Sequence, residues 1–214
     1  MPLICLVRHG QASSEAKDYD VLSGSGRAQA AAVGRELARR GLRDPHLVAG
    51  TLTRQRDTAR IAAEAAGFRG PLHQDARWNE YDHLALLDRY APPIGERSVQ
   101  DLLDHALAAW MKDPDPAGGE VWPVFAEGAR AALAELPAAL GRGRDAVVFT
   151  SAGPLAAVCG ALLSLPDEGV VALNRVAVNA SVTTLVVGGS GTTLLTFNEH
   201  AHFADDRRRM VTYR

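Results

Sequence analysis

Cysteine is nearly absent from this 214-residue chain: Cys5 and Cys159 lie far apart, each in its own apolar run. Without short spacing they make no metal-binding signature, and they read as buried thiols of a reducing compartment. Aromatic residues are scarce at 6%, while Ala, Leu, Val and Gly dominate, which suits an α/β protein packed with small side chains. An excess of one charge is also missing. With a net charge of −2, no global field steers the chain onto nucleic acid or a membrane, so any preference for anions is local. No apolar run approaches the roughly 18 residues of a membrane span. The amino terminus lacks a basic stretch followed by a long apolar one, so no signal peptide is read there and the expectation is a cytoplasmic protein. Internal repeats and low-complexity segments are absent too. What remains, 47% hydrophobic residues, is enough to bury the core of one domain spanning 1–214.

The apolar residues are arranged in a readable order. Residues 3–7 form a short continuous run, as in a strand buried on both faces. The sequence Ser23-Gly24-Ser25-Gly26 reads as a loop, helical spacing covers 27–40, and Gly41 closes that helix. A second short strand at 46–50 precedes a helix at 54–66 that stops at Gly67. Strand, helix, strand, helix predicts a parallel sheet with crossovers. Residues 71–125 are broken by Pro71, Pro92, Pro93, Pro114, Pro116 and Pro123, with helical patterning only at 98–111. They read as an excursion over the sheet, a cap that shapes substrate access. Helical spacing resumes at 124–140, followed by a strand at 145–151 and a helix opened by Gly153-Pro154. Runs at 181–187 and 192–197, separated by Gly188-Gly189-Ser190-Gly191, read as a hairpin. Asn179-Ala180-Ser181 reads as a turn, and Arg207-Arg208-Arg209 after Asp205-Asp206 as a solvated tail without the aromatic or basic stripe of a nucleic-acid binder.

The most informative residues follow the first strand: Arg8-His9-Gly10-Gln11-Ala12-Ser13. A strand ending in Arg-His-Gly delivers a histidine and a permanent cation to its carboxyl end, where open α/β sheets bind ligands. Histidine both attacks and leaves near neutral pH, and the arginine fork matches phosphate oxygens. Glycine lets the backbone approach a ligand closely. These demands together are those of phosphate chemistry. Gln11 and Ser13 could donate to phosphate or substrate from the same loop.

Arg8-His9-Gly10, the stretch Gly50-Thr51-Leu52-Thr53-Arg54-Gln55-Arg56-Asp57-Thr58-Ala59, the intervening Leu22, Gly26, Gln29, Ala30, Gly34 and Leu37, and Trp78-Asn79-Glu80 resemble the histidine phosphatase superfamily, phosphoglycerate mutase-like branch. The resemblance implies an α/β fold of three α/β/α layers, a mostly parallel sheet with an antiparallel edge. It also implies cofactor-independent phosphoryl transfer, with His9 as the nucleophile that becomes phosphorylated. Arg8 and Arg54 would clamp the phosphoryl oxygens; Arg56, which does not match the family position, is kept beside them as a helper. Glu80 would be the general acid, with Asp82 as the neighbour able to take its place. The partner implied is a phosphorylated small molecule, or a phosphoprotein, with no nucleic acid, membrane or metal; the oligomeric state is left open. Hydrolysis is favoured over mutase transfer, which shares the same intermediate.

One departure stands out. Where the family carries a second histidine, Phe149-Thr150-Ser151-Ala152-Gly153-Pro154 has Ala152, and one side of the phosphate pocket loses a donor. Such a loss typically costs roughly 10²–10³ in rate. Three readings follow. His83, His200 or His202 supplies the missing group; backbone N–H groups after Gly153 form an anion site; or the protein is a catalytically impaired binder of phosphorylated ligands. His200 and His202 have no carboxylate or thiol partner in sequence, so they read as pocket-lining rather than as metal ligands.

Overall fold

The computed structural model describes residues 1–13, 20–42, 45–93, 98–114, 119–140 and 143–213; Pro116 lies outside them. Six strands build one sheet: β1 (Leu3–Arg8), β2 (His46–Ala49), β3 (Leu72–Gln74), β4 (Ala146–Thr150), β5 (Val182–Gly188) and β6 (Gly191–Glu199), in the order β3-β2-β4-β1-β5-β6. The first four are parallel. β5 turns antiparallel to β1, and β6 antiparallel to β5, making the antiparallel edge. The helices are α1 (Gly24–Arg39), α2 (Thr53–Ala66), α3 (His83–Tyr90), α4 (Val99–Lys112), α5 (Trp122–Leu140), α6 (Ala152–Leu162), α7 (Asp167–Val176) and α8 (Arg207–Met210). No helix among the described residues is long and apolar enough to cross a membrane.

Alternation along the central strands creates two apolar faces. Cys5, Val7, Val147 and Phe149 pack against Val33 and Leu37 of α1 and Ala59 and Ala62 of α2. Ile4, Leu6, Ala146 and Val148 pack against Leu133 and Leu136 of α5 and Leu155 and Val158 of α6. The result is a three-layer α/β/α arrangement. A separate cluster gathers Leu86, Leu107, Trp110 and Phe125 around Tyr81 and meets α6 at Ala157. It holds α3 and α4 beside the carboxyl ends of the strands.

Several elements differ from the sequence reading. α1 begins at Gly24 rather than after a loop, because the Ser23 hydroxyl caps it by accepting the Gly26 N–H at 3.0 Å. The glycines there serve packing: a Cβ on Gly10 would strike the Gly26 carbonyl, and one on Gly26 the Gln11 backbone. The close approach that Gly10 permits in this structure is to α1. α7 was not foreseen. The arginine tail is not simply solvated: it forms α8, Met210 packs on the sheet core, and the Gln29 amide donates to the Met210 carbonyl at 2.8 Å. Arg208 and Arg209 are exposed, while the Arg207 side chain lies outside the described atoms.

Candidate active site

β1 and β4 run in register, Arg8 beside Thr150, and the His9 N–H donates to the Thr150 carbonyl at 2.9 Å. The chain therefore leaves both strands at one level, with His9 on one and Ser151-Ala152 on the other. His9 is only 5% exposed. Its Nδ1 lies 2.7 Å from the Gly10 carbonyl and its Nε2 3.2 Å from Arg54 Nε. A carbonyl can only accept and a guanidinium can only donate, so the proton belongs on Nδ1 and the lone pair on Nε2. Burial, then the charges of Arg54 and Arg8, hold the imidazole well below its ordinary pKa of 6.5. A neutral, oriented imidazole results. The Asn179 amide and the Ala180 N–H both donate to the His9 carbonyl, at 3.1 and 3.2 Å, so the expected turn at 179–181 also fixes the histidine from behind.

Arg54 sits in the first turn of α2, 7% exposed. The preceding Leu52 has no oxygen to cap the helix. Asp20 supplies one from across the loop: its carboxylate accepts the Thr53 N–H at 2.6 Å and Arg54 Nη1 at 2.8 Å. Thr58, one turn on, donates to the Arg54 carbonyl at 2.6 Å and accepts the Gly10 N–H at 3.0 Å, tying the histidine loop to the same helix. Arg8 is 8% exposed and donates to the Ala177 carbonyl.

Glu80 arrives on a segment pinned at two places. The Trp78 carbonyl accepts from the Gln55 amide at 2.9 Å and the Thr150 hydroxyl at 2.8 Å. The Asn79 side chain accepts the Thr51 N–H at 2.6 Å and donates to the Thr51 hydroxyl at 2.7 Å. The Glu80 carboxyl accepts the Gly153 N–H at 3.0 Å, at the start of α6. Burial raises its pKa above the ordinary 4.5, against the lowering pull of Arg8, Arg54 and that N–H. The Gly153 N–H therefore already holds the Glu80 carboxyl group in this structure, rather than standing open as an anion site.

Arg8, His9, Arg54 and Glu80 line one cavity of about 100 Å³, together with Tyr81, His83 and Ala152. Gln100 and Leu103 of α4, Asn174 and Arg175 of α7, and Tyr213 complete it. His83 is the first residue of α3, and burial and the Arg54 charge lower its pKa. Asp82 instead caps α3, accepting the Leu84 and Ala85 N–H groups at 3.0 Å.

The remaining sequence candidates lie off the cavity lining. Gln11 accepts from the Ser23 hydroxyl at 3.0 Å, and Ser13 bonds through its backbone to Val21 at 2.8 Å. Arg56 donates to the Thr53 hydroxyl at 3.1 Å. His202 lies 3.1 Å from the Ala180 carbonyl, and His200 Nδ1 lies 2.7 Å from the Asn198 carbonyl. Among the described residues, no three His, Cys, Asp or Glu side chains gather as a metal ion would require. The sequence reading missed Asp20, Gln55, Asn79 and Asn179 as organisers of the site. Gln55 carried a readable signal, a polar side chain on the buried face of a helix; it is 0% exposed.

A buried, neutral imidazole between two guanidinium groups and a carboxyl group, at the carboxyl ends of a mostly parallel sheet, defines an α/β protein of the phosphoglycerate mutase-like class. Residues 4–200 match the histidine phosphatase superfamily (branch 1), and the chain belongs to that family. Its structure is similar to that of the mycobacterial glucosyl-3-phosphoglycerate phosphatase solved with inorganic phosphate. The two are 29% identical, with a TM-score of 0.66, over 94% of this chain and 99% of that one. The same phosphatase complexed with VO3 matches at 27% identity and a TM-score of 0.66, over 94% and 100% of the two chains. Bacillus stearothermophilus YhfR shares the fold at 20% identity and a TM-score of 0.72, over 94% and 99%. No curated protein matches this chain.

Proposed function

We propose that the protein is a phosphomonoesterase working through a phosphohistidine at His9. The observation that carries this reading is the neutral imidazole whose Nε2 lone pair meets Arg54 inside the cavity. An incoming phosphoryl oxygen takes over the Arg54 N–H and frees that lone pair. Nε2 then attacks phosphorus, and the bond to the leaving oxygen breaks as Glu80 gives that oxygen its proton. Water attacks the phosphohistidine next, losing a proton to the Glu80 carboxylate, and His9 departs neutral with inorganic phosphate released. Arg8 and Arg54 stabilise the charge on the equatorial oxygens in both steps. The cycle balances without a cofactor. A hydroxyl in place of water would give mutase transfer.

Of the three histidines weighed against the loss at Ala152, His83 lines the cavity, and it serves in this reading as a substrate-facing group. Residues 71–125 act as the cap of a single domain. The substrate is a phosphorylated small molecule, in keeping with the relative named for glucosyl-3-phosphoglycerate.

Ala152 favours a second reading, because it brings only a methyl group to the cavity wall: a phospho-ligand binder without turnover. Steady-state assays with p-nitrophenyl phosphate separate the two. Turnover that falls to background in His9→Ala, with an acid-labile phosphoryl adduct trapped in the wild type, supports the esterase. Turnover that survives the substitution overturns it, and phosphate-raised melting without turnover supports the binder.

A further inference from the structure

We infer that the group esterified to phosphate is uncharged and hydroxylated, a polyol or sugar, with one of its hydroxyls met by Asn174 and Tyr81. This rests on the esterase reading and names its substrate class.

The inference starts from one unmatched polar atom. Asn174 lines the cavity, and its Nδ2 donates to the Tyr81 hydroxyl at 3.3 Å. Its Oδ1 is buried and has no hydrogen-bond partner among the described residues. Leaving such an acceptor unmet is costly, so a ligand seated here should bring it a donor. Reversing the amide would let Tyr81 donate to Oδ1 and leave Nδ2 unmet instead. A hydroxyl satisfies either orientation, because it both donates and accepts. A carboxylate or phosphate could meet only Nδ2, and an ammonium only Oδ1. Burial also raises the Tyr81 pKa, so the phenol keeps its proton.

Charge at the rim points the same way. Arg175 is held by Asp104 at 2.6 Å and Asp101 at 3.0 Å, two carboxylates on one guanidinium. Asp104 also accepts the Gln100 amide at 2.7 Å. These bonds tie α7 to α4 and so hold Asn174 in place. They also offset the charge of Arg175 from behind the cavity wall, since Asp101 and Asp104 are not among its lining residues. Among the described lining residues, the other two cations, Arg8 and Arg54, flank His9. A second anionic group on the substrate would therefore find Arg175 already engaged by two carboxylates, whereas a hydroxylated chain would meet amides and phenols.

The test compares sorbitol 6-phosphate, phenyl phosphate and 3-phosphoglycerate as substrates of the wild type and Asn174→Leu. The wild type should favour the sorbitol ester over 3-phosphoglycerate, and in Asn174→Leu the kcat/KM ratio of sorbitol to phenyl ester should fall about tenfold. Tyr81→Phe, which removes only the hydroxyl, should lower the same ratio and serves if Asn174→Leu folds poorly. An unchanged ratio in both variants, or a preference for 3-phosphoglycerate, overturns the inference. Calorimetric binding of the same esters to His9→Gln gives a readout that needs no turnover. Should no ester be hydrolysed, the esterase reading fails, while the order of affinities and its sensitivity to Asn174→Leu still decide this one.

Discussion

His9 and Glu80 are perturbed in opposite senses, and the proposed acid–base chemistry depends on that difference. The histidine is held neutral far below its ordinary pKa, and the carboxyl group keeps its proton above its own. Activity should therefore fall on the acid side as His9 takes up a proton, and on the alkaline side as Glu80 loses one. A bell-shaped profile of kcat/KM is expected, with its acid limb below pH 6.5 and its alkaline limb above pH 4.5. Glu80→Gln should remove the alkaline limb and lower the rate on an alkyl ester by about 10²–10⁴-fold. It should cost much less on p-nitrophenyl phosphate, whose phenolate leaves without a proton. An unaltered profile in Glu80→Gln would exclude Glu80 as the acid. That His9, Arg8, Arg54 and Glu80 share one cavity was legible in the sequence because each belongs to a short local motif. Asp20, Asn79 and Asn179 were not, because their partners Arg54, Thr51 and His9 lie 28 to 170 residues away in sequence.

Helix starts carry the site at the scale of elements, and two of them are testable. α6 begins against Glu80: a Cβ on Gly153 would collide with the Glu80 carboxyl and the Tyr81 ring. Gly153→Ala should destabilise the protein by about 1–3 kcal/mol and displace the acid, seen as lower Tm together with lost turnover of alkyl esters. α3 begins at His83 under the Asp82 cap. Asp82→Ala should cost about 1 kcal/mol, a drop in Tm of roughly 2–4 °C for a chain of this size; no change would mean the cap is not holding the helix. β1, α2, β4 and the β5–β6 hairpin were readable because their apolar periods are strong and bounded by glycine. α7 was not read, although Pro166, Asp167 and Glu168 make a favourable helix start. The first turn of α1 was read as a loop because its glycines answer to packing against Gln11 rather than to local propensity.

Titration of buried groups sets the acid limit of the whole molecule. Burial lowers the His202 pKa to about 4 and holds His9 low as well. The unfolded chain takes up these protons near pH 6.5, whereas the folded one does not. Stability should therefore decline as pH falls below 6.5, over a window reaching about 4 for His202. Glu80 acts in the opposite sense, since its cost is relieved as it gains a proton. Asp75, Asp101, Glu135 and Glu199 have lowered pKa values and add further loss on acidification. Melting curves should show a lower Tm at pH 5 than at pH 7.5; the reverse order would contradict the assignment. Burial pushes the thiols of Cys5 and Cys159 up to about 11 and about 12. Slow alkylation of the native protein is the expected result.

By itself the sequence determined the α/β layering and the motif that brings His9, Arg8 and Arg54 together, since periodicity and strand-end position are local properties of a chain. Tertiary structure alone decided which histidine shares the cavity with Ala152, which carboxylate steadies Arg54, and what the α6 N-terminus holds. Those choices depend on groups brought within about 3 Å by packing, and no spacing along the chain encodes such a distance.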